Sequence, residues 1–204
     1  MTSILDAVRQ QLGPDTIQQL SSSLGADPSA TSNAVSLALP AILGGLSRNA
    51  SQPEGAAALD NALNAHDGSI LDNLGGLLGG GGGGGGPMGS IGGAILGHVF
   101  GGKRDTVEQG VGRASGLDGA QVAQLMAMLA PIVMGVLGKM KQTKGLDANR
   151  LPDVLQQSRA QAEEESPGLG GLGGLLDGNH DGSVADDLLR MGTSALGGMF
   201  GNKR

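Results

Sequence analysis

Met128-Leu129-Ala130-Pro131-Ile132-Val133-Met134-Gly135 is an apolar stretch with one proline inside it, and it restates Leu37-Ala38-Leu39-Pro40-Ala41-Ile42-Leu43-Gly44. Apolar residues on nearly every side of such a stretch read as a helix surrounded by other helices, not as the one-sided stripe of a surface helix. Further landmarks return in the same order around it. Asp15-Thr16-Ile17-Gln18-Gln19 is matched by Asp105-Thr106-Val107-Glu108-Gln109, and His66-Asp67-Gly68-Ser69 by His180-Asp181-Gly182-Ser183. Phe100-Gly101-Gly102-Lys103-Arg104 is matched by Phe200-Gly201-Asn202-Lys203-Arg204. Landmarks in one order mark an internal duplication, so residues 1–104 and 105–204 read as two diverged copies of one helical module. The expected fold is all-α: two pseudo-repeated small helical modules with glycine-rich linkers.

The modules divide into helices by periodicity and punctuation. Ile4, Leu5, Val8 and Leu12 place a short amphipathic helix over 3–12. The first repeated helix is expected over 15–24 and 105–114, each copy starting at an aspartate able to cap free N–H groups and ending at Gly25 or Gly116. The second is expected over 29–48 and 119–141, with Pro40 and Pro131 predicted to kink it or break it in two. A third pairs Leu59 and Leu63 with Leu151 and Leu155, and in the second copy runs on through Gln156 to Glu165. Gly79 to Gly86 is unbroken glycine before Pro87, so 79–87 reads as a flexible linker, and 167–174 as a weaker version of it. Residues 88–101 and 191–201 then resume as a short glycine-rich helix.

Composition excludes several classes. With 40 glycines and two aromatic residues, Phe100 and Phe200, the core must come from Leu, Ile, Val, Met and Ala. The absence of cysteine rules out disulfides, thiolate metal sites and cysteine nucleophiles. A net charge of -6 and the lack of stacking aromatics oppose nucleic-acid binding, and the densest basic cluster, Lys139, Lys141 and Lys144, only ends a core helix. The start of the chain lacks a secretory signal pattern, which favours the cytoplasm. The longest nearly uninterrupted apolar run, Leu125 to Gly138, falls short of the roughly 18 residues of a membrane span, so no transmembrane segment is expected.

Two motifs carry functional readings. Asp177-Gly178-Asn179-His180-Asp181-Gly182 alternates oxygen donors ahead of a turn glycine, as a calcium loop does, and Asp187 offers a further ligand near its end. The closing bidentate Glu is missing, since Leu188 stands there. Against calcium, Ser183-Val184-Ala185-Asp186 is a capping box that the first copy preserves as Ser69-Ile70-Leu71-Asp72, while Leu63 and Ala65 replace the ligands. The shared feature is a cap and a turn. The second motif is Gly93, Gly97 and Gly101, four apart, with Thr193, Gly197 and Gly201 as the counterpart. Small residues at this spacing let another helix backbone approach, either inside the molecule or from a second copy. His66 and His180 lack a partner at metal-ligand spacing and read as turn residues, and the glycine run lacks the Gly-Lys-Ser/Thr ending of a phosphate loop. No nucleophile elbow or acid–base constellation is present, so an enzyme and a resident cofactor are not expected.

The stretch Leu24-Gly25-Ala26-Asp27-Pro28-Ser29-Ala30-Thr31 leading into Leu39-Pro40-Ala41-Ile42-Leu43, and Ser115-Gly116-Leu117-Asp118 leading into Leu129-Ala130-Pro131-Ile132, resemble the bacterial YidB-like proteins, a domain-of-unknown-function family. The Asn-His-Asp-Gly-Ser turn and the Gly-Gly-Ala-Ile-Leu-Gly-His-Val-Phe-Gly segment are similar to those of its longer, glycine-rich members. The resemblance implies a bacterial all-helical protein with homeodomain-like helix packing and no established activity. Together the residues favour a non-enzymatic protein acting by self-association or partner binding, with a calcium-binding regulatory loop at 177–187 as the alternative.

Overall fold

Prolines and aspartates set where the helices begin. The computed structural model describes residues 3–65, 68–72, 87–148 and 150–165, and every regular element within them is helical. In chain order these are α1 (Ile4–Gln11), α2 (Pro14–Leu24), α3 (Pro28–Ala50), α4 (Pro53–Ala65), α5 (Ser69–Asp72) and α6 (Pro87–Phe100). A 3-10 turn (Gly101–Lys103) leads into α7 (Arg104–Ser115), followed by α8 (Gly119–Lys144) and α9 (Leu151–Glu165). Pro14, Pro28, Pro53 and Pro87 each stand first in a helix, where the missing N–H has no partner to lose and the fixed φ suits the turn.

The long helices α3 and α8 share one punctuation. Each follows a left-handed glycine, Gly25 at φ 60 or Gly116 at φ 82, that ends the preceding helix. Each starts at an aspartate: Asp27 accepts from the N–H groups of Ser29 and Ala30, and Asp118 forms a capping box with Gln121. The caps therefore fall one helix later than the sequence reading placed them. Asp15 and Asp105 lie inside the first turns of α2 and α7, whose cap positions are Gly13 and Lys103. Proline at the first helical position of α2 moves its start ahead of Asp15, and the 3-10 turn does the same for α7.

Both long helices run through their internal prolines without a break. Pro40 and Pro131 each remove one hydrogen bond, to the carbonyls of Ser36 and Ala127, and the packing around the helices outweighs that loss. Helix α8 lies at the centre, against α1, α2, α3, α4, α5, α6 and α7. Leu125, Met126, Leu129, Ile132, Val133 and Leu137 are fully enclosed, and burial of each such side chain contributes roughly 1.5–3 kcal/mol. Ile42, Leu43, Met128, Ile132 and Val133 share one apolar cluster, with Leu37 at its half-buried edge. Residues on both sides of position 104 thus belong to one core. By contacts the chain divides into two compact units, Met1–Ala162 and Glu163–Arg204, and the core described here is that of the first.

Both α3 and α8 are long and apolar enough to cross a membrane by length and composition, which the count of uninterrupted apolar residues missed. In this fold 78% of the most apolar stretch of α8 is buried inside the protein, against 50% for α3.

Candidate functional site

Helix α6 has two unlike faces. Gly92, Leu96 and Val99 point into the protein and are buried, while Ser90, Ile91, Ala94, Gly97 and His98 are exposed. The inner face makes two close crossings. A side chain at Gly92 would overlap the carbonyl group of Ala127 on α8, and a side chain at Gly45 on α3 would overlap Val99. Ala127 is the residue whose carbonyl loses its helical partner to Pro131, so the backbone of α6 meets α8 where the proline has freed an acceptor. A Cα–H can approach such an oxygen when no Cβ intervenes.

The predicted glycine strip runs toward the other face. Gly93 is half-buried, with the Nη1 of Arg104 4.0 Å from where its Cβ would stand. Gly97 and Gly101 are exposed, and a Cβ at either would meet nothing within 4 Å among the described residues. Gly101 also has φ +53 and begins the turn out of α6. Gly97, Ala94, His98 and Ile91 follow one another around the outer arc of the helix, and Gly101 stands just beyond its end. Ile91, 43% exposed, is the large exposed hydrophobic of the described residues. The glycine of α6 that serves close packing within the molecule is therefore Gly92, which the four-residue spacing passed over.

Polar side chains bridge helices far apart in the chain. Gln121 donates from Nε2 to the carbonyl of Leu24 at 3.2 Å, and Gln124 to that of Ser23 at 3.3 Å, so the start of α8 satisfies the end of α2. Asn49 at the end of α3 donates from Nδ2 to the carbonyl of His98 at 2.8 Å, which closes α6. Lys141 reaches α4, donating to the Asp60 carboxylate at 2.6 Å and to the Asp60 carbonyl at 3.0 Å. Arg104 pairs with Glu108 one turn along α7 at 2.6 Å. Of these bonds, the one from Asn49 ties the end of α6 to α3.

Of the other predicted residues, Asp177, Asn179, Asp181, Asp187, Gly197 and Gly201 lie outside the described residues, as do His66, the glycine run at 79–86 and the 167–174 segment. Gly68, two residues after His66, adopts φ +92 and stands just ahead of the short helix α5, which starts at Ser69. Among the described residues no three His, Asp or Glu side chains cluster at metal-binding distance.

The fold and this surface define a class: an all-α bundle built around one proline-bearing apolar helix, with a glycine-lined helix on its flank. The chain belongs to the DUF937 family, described as a bacterial protein of unknown function, whose family model matches residues 6–140. YidB is a member of the same family. The matched stretch runs from α1 into α8. No curated protein and no solved structure matches the chain.

Proposed function

We propose that this protein is a cytoplasmic, non-enzymatic helical module that works by association, with itself or with a protein partner, and that the outer face of α6 takes part. The observation that carries the reading is the placement of Ile91 beside Ala94 and Gly97 on an arc of α6 that the bundle leaves open among the described residues. A large aliphatic side chain next to a side-chain-poor strip suits the close approach of another helix. The inner face of the same helix supplies the precedent, since Gly92 there meets a neighbouring backbone.

The test is absolute mass by light scattering over a wide concentration range, with refractive-index detection because the chain has no Trp or Tyr. A multiple of 20.1 kDa that Ile91→Lys reduces supports the reading. A single-chain mass at every concentration refutes self-association. Adding calcium tests the alternative at 177–187, for which an unchanged melting temperature is the refuting result.

A further inference from the structure

We draw no further inference here: the strongest candidate, the side of α3 along Ser36, Pro40 and Gly44, is an unpartnered face among the described residues only, and nothing in the structure shows what covers it.

Discussion

Replacing Gly92 by alanine sets two opposing effects of known size against each other. In a helix interior the change gains about 1 kcal/mol from propensity alone. Here the new methyl overlaps the carbonyl carbon and oxygen of Ala127, which are backbone atoms of the buried central helix and cannot rotate aside. Forcing a methyl into packed surroundings costs about 1–3 kcal/mol, and a backbone obstacle puts this site at the upper end. The net expectation is a loss of about 2 kcal/mol, or a melting temperature lower by roughly 4–8 °C for a unit of this size. Gly97 is the control on the same helix: among the described residues nothing lies within 4 Å of its Cβ position, so Gly97→Ala should show the bare gain of about 1 kcal/mol. The assay is urea unfolding followed by circular dichroism in the helical band, at a concentration where association is constant. If Gly92→Ala proves as stabilising as Gly97→Ala, α6 does not rest on the Ala127 carbonyl and the reasoning fails.

Three further perturbations read other parts of the fold. Lys141→Ala removes the ion pair with Asp60, whose side chains are 17% and 23% exposed, and should lower stability by about 1 kcal/mol, with a smaller loss in high salt; a salt-independent loss would assign the effect to packing of the lysine stem. Asp118→Ala opens the capping box of α8 and should cost about 1 kcal/mol in urea unfolding, whereas an unchanged midpoint would mean that packing alone fixes the start of that helix. The Ser29 hydroxyl, followed by the N–H groups of Ser29 and Ala30, holds the Asp27 carboxyl below its ordinary 3.8, so its stabilisation is present above that value and is lost as pH falls through the lower folded value. Asp27→Asn keeps a capping oxygen but cannot titrate, and its acid unfolding should show a shallower fall below about pH 4 than the unsubstituted chain; identical acid profiles would refute the assignment.

The helical class, the left-handed glycines Gly25 and Gly116, and the enclosure of Pro131 were readable because they follow from local chemistry. Leu59, Leu63, Leu151 and Leu155 are likewise buried where periodicity put them. The prolines were read as kinking the helix or breaking it in two, and it does not break, because a single sequence does not show that α8 has neighbours packed around it to offset the lost bond. The glycine strip was read at the spacing of Gly93, Gly97 and Gly101, yet the buried side of α6 is set by Gly92, Leu96 and Val99. A signal for Gly92 did exist in its repetition as Gly192 and in the carbonyl that Pro131 frees. Recognising it requires knowing that α6 crosses α8 at Ala127, a long-range fact that spacing does not contain. The calcium-loop residues and the second strip fall outside the described residues, so their reading rests on sequence.

The bonds from Gln121 to Leu24 and from Gln124 to Ser23 join positions about a hundred residues apart. At a synthesis rate of roughly 5–20 residues per second, α2 leaves the ribosome about 5–20 seconds before the glutamines that close its end. Helix α1 waits for the same event, since α8 is the helix against which it rests. Throughout that interval Ile4, Leu5, Leu39 and Ile42 lack the wall that finally encloses them. A chain whose central helix is made late keeps that apolar surface uncovered until α8 has been synthesised.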